Sequence, residues 1–108
     1  MELSVTRGDT PTMRVTVLQG ADGTEYSLAN GDELTFTVKK STRVDSPVLV
    51  QKVMTASTGP VFRLTEDDTS LDYGAYVYDV QLRTAGGDVY TVMKPDRLAI
   101  TAEVTTRG

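Results

Sequence analysis

The sequence predicts an all-β protein: an antiparallel sandwich of about seven to nine strands, with at most one short helical turn near residues 66–71. Three observations predict it. Tyr76, Tyr78, Val80 and Leu82 alternate with Val77, Asp79, Gln81 and Arg83, the period-two signature of a strand buried on one face and wet on the other. Strand and turn signals recur about every ten residues along the whole chain, and no stretch has the spacing of a βαβ unit. Helix signals are nearly absent. The 108 residues hold no internal repeat, low-complexity tract or linker, so a single domain spans residues 1–108.

Each element follows in order. Leu3 and Val5 alternate with Ser4 and Thr6 in a short opening strand. Arg7-Gly8-Asp9-Thr10-Pro11 breaks it, because glycine admits positive φ and Pro11 restrains Thr10. Met13, Val15 and Val17 then face one way in a second strand. A break of this kind lets two strand halves pair with different sheets. Gly20-Ala21-Asp22-Gly23 is a hairpin signal, Glu25–Leu28 a short strand, and Asn30-Gly31-Asp32 a turn.

Leu34, Phe36 and Val38 point inward from the next strand, with Thr35, Thr37 and Lys39 outward. Residues 41–47 form a polar loop. Val48–Met54 is rich in β-branched residues, but either Val48 and Val50 or Leu49 and Val53 could face the core. After a turn at residues 56–60, Val61–Leu64 is a strand with Phe62 and Leu64 inward. Glu66-Asp67-Asp68-Thr69-Ser70-Leu71 suits one helical turn closing the end of the sandwich, with acidic residues at its start. The Tyr76 strand follows, then a turn at Ala85-Gly86-Gly87-Asp88 and a strand over Val89–Met93. Lys94-Pro95-Asp96 leads to a last strand with Leu98, Ile100, Ala102 and Val104 inward and Ala99, Thr101 and Glu103 outward.

Composition narrows the function. There is no cysteine, which removes disulfides and thiolate chemistry and favours assembly inside a cell. There is no histidine, the usual general base near neutral pH and the commonest metal ligand. An enzyme is therefore not expected, nor is a cofactor. Eleven basic against fifteen acidic residues give a net charge of −4, the wrong sign for phosphate binding, so no nucleic-acid partner is expected. No apolar run reaches the length of a membrane span, and Met1-Glu2-Leu3-Ser4-Val5 lacks the features of a signal peptide.

Four groups invite a functional reading, each beside a plainer one. Arg7-Gly8-Asp9 spells an integrin-read tripeptide but also suits a bend between strand halves. Glu66, Asp67, Asp68 and Asp72 form the one carboxylate cluster; a hard cation would want such oxygens, but their spacing misses the twelve-residue calcium loop, and a solvated corner with a helix cap explains them. Tyr73, Tyr76, Tyr78 and Tyr90 suggest a sugar platform, yet Tyr76 and Tyr78 share the parity of the core, leaving Tyr73, Tyr26 and Tyr90 as surface candidates. The outward threonines of the Phe36 strand and of the last strand are ordinary strand surface, or suit a strand edge that pairs with a neighbouring subunit.

The Asp72-x-Gly74-x-Tyr76 approach is similar to the entry to strand F in immunoglobulin-like sandwiches, where a tyrosine hydroxyl bonds back to the preceding corner. Further motifs stand in order: Arg7-Gly8-Asp9-Thr10 early, Gly31-Asp32-Glu33-Leu34-Thr35-Phe36-Thr37-Val38-Lys39-Lys40 in the middle, Asp67-Asp68-Thr69-Ser70-Leu71 and Tyr76-Val77-Tyr78-Asp79-Val80 late, and Leu98–Thr105 last. Together they resemble the immunoglobulin-like domain of bacteriophage tail and baseplate proteins, as at the N-terminus of upper baseplate proteins of phages of Gram-positive hosts. Those proteins continue into a coiled segment and further modules, so a free-standing copy implies a different place in the particle or a prophage remnant. The resemblance brings no catalytic motif. It implies a virion subunit assembled in the bacterial cytoplasm, whose partners are other tail or baseplate proteins or copies of itself in a homo-oligomer or mixed assembly. The alternative is a carbohydrate- or cell-surface-binding module on the same kind of sandwich.

Overall fold

A computed structural model describes residues 2–19 and 23–102, which form nine strands and one short helix. In order these are β1 (Leu3–Thr6), β2 (Thr12–Arg14), β3 (Leu18–Gln19), β4 (Thr24–Glu25), β5 (Glu33–Lys39), β6 (Val48–Met54), β7 (Val61–Arg63), α1 (Glu66–Thr69), β8 (Gly74–Arg83) and β9 (Val89–Thr101). The protein is all-β. Its main sheet has the order β1-β9-β8-β5-β6, and β2-β7 and β3-β4 make two-stranded ribbons.

The alternation in β8 does what period two requires: Tyr76, Tyr78, Val80 and Leu82 are buried while the residues between them are not. Across from them on β5, Leu82 meets Leu34, Val80 meets Phe36 and Tyr78 meets Val38, all buried. The ribbon β2-β7 covers this face. Its Phe62 ring stacks on Phe36 with centroids 4.5 Å apart, and Phe36 lies 5.6 Å from the Tyr78 ring. Val15 and Val17, beyond β2, and Leu64, beyond β7, complete the second layer.

The corner at residues 7–11 sends the halves of the opening segment to different sheets, as the Gly8 and Pro11 pattern predicts. β1 joins β9 in the large sheet, and β2 joins β7. The β1–β9 pair is parallel, not antiparallel. No hairpin ties first strand to last, so nothing local dictates their relative direction.

Four expectations need correcting. The Met13–Val17 strand is interrupted: Val15 and Val17 point inward, but only Thr12–Arg14 and Leu18–Gln19 are paired as strands. The strand expected over Glu25–Leu28 lies at Thr24–Glu25, and the Tyr26 N–H then bonds the Val17 carbonyl at 2.7 Å. The strands on either side of Lys94-Pro95-Asp96 are one strand. β9 runs through Pro95 by bulging: Tyr78 and Val80 of β8 pair with Asp96 and Met93, so β9 spends one extra residue there, and it spends another at Val92. A bulge is where a strand tolerates a residue with no N–H. Ala102, expected inward, is exposed past the end of β9. The Gly20–Asp22 part of the hairpin signal, Glu103 and Val104 lie outside the described residues.

The open choice in β6 resolves in favour of the Val50 parity. Val50 and Met54 are buried, and Leu49 and Val53 face out. Val48 shares that parity but is half exposed, because the register shifts between Val38↔Val50 and Lys39↔Val48. The expected helical turn is α1. Thr65 caps it through a reciprocal box, its hydroxyl taking the Asp68 N–H while the Asp68 carboxylate takes the Thr65 N–H.

Candidate functional site

The residues singled out by sequence fall at three places on the sandwich, and at each the chemistry is turned toward holding the fold. The first is the end where residues 7–11 and 65–76 meet. Gly8 takes φ of 86°, allowing the Asp9 N–H to reach the Thr6 carbonyl at 3.0 Å and close a tight turn. The Arg7 Nε donates to the Leu71 carbonyl at 3.2 Å, and its guanidinium lies 5.8 Å from the Tyr73 ring centroid. Buried Thr69 donates its hydroxyl to the Asp9 carbonyl at 2.8 Å. The Arg-Gly-Asp tripeptide is thus clamped to the helical corner.

The carboxylate corner does not converge. Asp68 is tied to the Lys52 ammonium at 2.6 Å and to its own cap. Burial raises its pKa, but the Lys52 hydrogen bond and the Thr65 N–H outweigh that and hold the carboxyl below the usual range. Among the described residues, no three acidic side chains gather as a metal site would need. Asp72 serves through its backbone: its carbonyl accepts the Tyr76 hydroxyl at 2.7 Å, which is the corner bond that the Asp-x-Gly-x-Tyr pattern predicts. Lys40 covers the ring, its Nζ 4.5 Å from the centroid.

The second place is the opposite end. Asp32, only 2% exposed, accepts the Tyr26 hydroxyl, the Ala29 N–H at 2.8 Å and the Ala85 N–H at 3.1 Å. The Tyr26 bond is the largest of the causes that lower its pKa, joined by the two backbone bonds against the opposing pull of burial. The same bond pushes the Tyr26 hydroxyl up. This carboxylate ties the 29–32 turn to the β8–β9 turn. Its sequence signal, an Asp closing an Asn-Gly turn, is shared with countless solvated turns.

Beside it lies an open cleft of about 630 Å³ lined by Thr16, Val17, Leu18, Tyr26, Leu82, Thr84, Tyr90, Thr91 and Val92. It exists because β9 extends past the cover of the second layer, so Tyr90, opposite buried Leu82, is left exposed. Tyr73 is not part of it. Tyr73 precedes Gly74 and Tyr90 pairs with Leu82, so nine residue steps, roughly 30 Å, separate the two rings' attachment points. The four tyrosines make no common platform: two are core and two stand at opposite ends.

The third place is the outer face of the main sheet. Thr35, Thr37 and Lys39 stand there as expected, with Gln51 Nε2 donating to Thr37 Oγ1 at 3.3 Å. Burial pushes the Asp79 carboxyl up while Lys39 pulls it down. Along the rim, β6 exposes Val48, Leu49 and Val53, an apolar grouping that the sequence left undecided between core and surface. No described helix is long and apolar enough to cross a membrane. The chain matches no family model, no curated protein and no solved structure.

Proposed function

We propose that this chain is a non-catalytic structural subunit of a bacteriophage particle, of tail, baseplate or decoration type. It is assembled in the bacterial cytoplasm and works through contacts with other tail or baseplate proteins or with copies of itself. The observation that carries this reading is where the polar side chains go. Arg7, Asp32, Lys52, Asp68, Thr69 and Tyr76 are all engaged in tying turns, strands and the helical corner together, while three of the eight large apolar side chains exposed among the described residues, Val48, Leu49 and Val53, lie along the β6 edge. Such a surface suits docking. The Tyr76–Asp72 bond and the split of the opening segment between two sheets support the immunoglobulin-like form. The ordered motifs from Arg7 to Thr105 support the viral assignment.

Particles purified from an induced lysogen or infected culture test it by quantitative mass spectrometry. The reading expects this chain at fixed stoichiometry to a tail protein; its absence from pure particles overturns it. A second reading, a carbohydrate-binding module, is favoured by one feature, the cleft in which Tyr90 and Tyr26 stand beside the hydroxyls of Thr16, Thr84 and Thr91. Glycan-array binding that disappears in Tyr90→Ala would select it.

A further inference from the structure

Asparagine occurs once in the chain, at position 30, and glycine follows it. The pair forms the middle of a four-residue turn from Ala29 to Asp32, closed by the Asp32 N–H on the Ala29 carbonyl at 3.0 Å. The Asp32 carboxylate takes the Ala29 N–H at 2.8 Å, so both ends of the turn are pinned. Its middle is not. Asn30 and Gly31 are both exposed, and among the described residues none hydrogen-bonds the Asn30 side-chain amide or the Gly31 N–H. A turn of this kind leaves its central peptide to solvent, and Gly31 brings no side chain to shield its own nitrogen.

We propose that Asn30 is a self-modification site: in the folded chain it converts with age to aspartate and isoaspartate, and the isoaspartate form loosens this turn from the β8–β9 turn. Asparagine is among the thermolabile side chains, and the chemistry needs only water as co-reactant. The Gly31 backbone nitrogen attacks the Asn30 Cγ. The N–Cγ bond forms, the Cγ–Nδ2 bond breaks, and the side-chain nitrogen leaves as ammonia with the proton that Gly31 gave up. Water then opens the resulting cyclic imide. Breaking the new N–Cγ bond leaves aspartate; breaking the original peptide bond leaves isoaspartate, whose main chain runs on through Cβ and Cγ.

Both products place a new carboxylate beside buried Asp32 and exposed Glu33. Isoaspartate also adds a backbone carbon between the two pinned ends. The turn has no slack for it, because Gly31 lies so close to the β8–β9 turn that a Cβ there would stand 2.8 Å from the Ala85 Cβ. The Ala29 N–H and, at 3.1 Å, the Ala85 N–H share the one Asp32 carboxylate, so a shift of the turn weakens the bond that joins the two turns. Tyr26, the third donor to Asp32, and Thr84 line the neighbouring cleft, so aged and fresh chains differ at that end of the sandwich. The reaction needs no partner and so stands apart from the assembly reading.

The whole chain, held folded in mildly alkaline buffer for weeks beside a sample unfolded in urea, tests the reaction by peptide mass mapping. In both samples the peptide holding residue 30 should gain the mass difference between an amide and an acid. It should split into two chromatographic forms, one of them labelled by an isoaspartate-specific methyltransferase. Asn30→Gln, which would have to close a larger ring, should stay unmodified over the same time. A folded chain that keeps Asn30 throughout, or Asn30→Gln reacting as fast as wild type, overturns the proposal. Hydrogen exchange tests the consequence. Protection of the Ala29, Asp32 and Ala85 amides should fall roughly fivefold in the isoaspartate form, the equilibrium weight of one lost hydrogen bond. It should stay within about twofold of wild type in Asn30→Asp, which carries the charge on an unlengthened backbone. Unchanged protection in the isoaspartate form, or an equal fall in Asn30→Asp, refutes the loosening.

Discussion

Replacing Tyr76 by Phe isolates the corner bond. The ring stays in the core, where Tyr76 is buried on the face of β8 shared with Tyr78 and Val80, so no packing is lost. What disappears is one hydrogen bond, 2.7 Å from Oη to the Asp72 carbonyl. Asp72 is an exposed residue and the bond is only part-buried, so the freed carbonyl is not sealed in the core and the full penalty for a dry orphan acceptor does not apply. The expected loss is therefore about 1 kcal/mol, the net value of one neutral hydrogen bond. In a domain of this size that lowers Tm by about 4 °C and the urea midpoint by roughly 0.5–1 M. Paired urea and thermal melts measure it, with Tyr73→Phe as the control. Tyr73 is 55% exposed, and its variant should stay within about 0.3 kcal/mol of wild type. A Tyr76→Phe loss as small as the control's would show that the hydroxyl holds nothing. A loss above about 3 kcal/mol would show that the ring had moved, and the one-bond account would fail.

Three further outcomes are expected. Gly31→Ala should cost about 2 kcal/mol, since φ is 91° and the new Cβ would stand 2.8 Å from the Ala85 Cβ; adding Ala85→Gly should restore only part of it in urea melts, and full restoration would show that the backbone angle costs nothing. Asp68→Asn should lower Tm at pH 7. Because the folded Asp68 pKa lies below its unfolded value, that stabilisation is present above about pH 4 and fades as pH falls through the folded value, so the two melting curves should converge in acid; a constant gap down to pH 2 refutes the assignment. Burial raises the Tyr76 and Tyr78 hydroxyls, and the Asp32 bond raises Tyr26, so stability should hold up to about pH 10 and be lost as pH rises through the folded values. Melts that stay unchanged well above pH 10 would contradict this.

What was legible in the sequence is what is local. The Tyr76 strand, its buried parity and the corner bond are written within eleven consecutive residues, because strand facing and the Tyr-to-corner distance depend only on near neighbours. The helical turn at Glu66–Thr69 is equally local, although its N-cap is Thr65 and not one of the carboxylates. The facing of β6 was not legible, since apolar residues occupy both parities of Val48-Leu49-Val50-Gln51-Lys52-Val53-Met54; the buried side carries Lys52, whose partner Asp68 comes from a distant part of the chain. Nor was Asp32 legible, because what distinguishes it is Ala85, fifty-three positions on. The unbroken course of β9 stayed hidden because proline usually ends a strand, and only the pairing with β8 shows a bulge absorbing it.

The short β1 strand and the kinked, proline-bearing β9 beside it limit how far this molecule can polymerise by adding strands to its main sheet. Fibrils lengthen because every newly added unit offers a fresh template at its far side. Here the sheet offers on one side only the four-residue β1 beside a bulged, proline-bearing stretch of β9, so repeated strand addition finds little to copy there, and a larger array has to be built through some other surface.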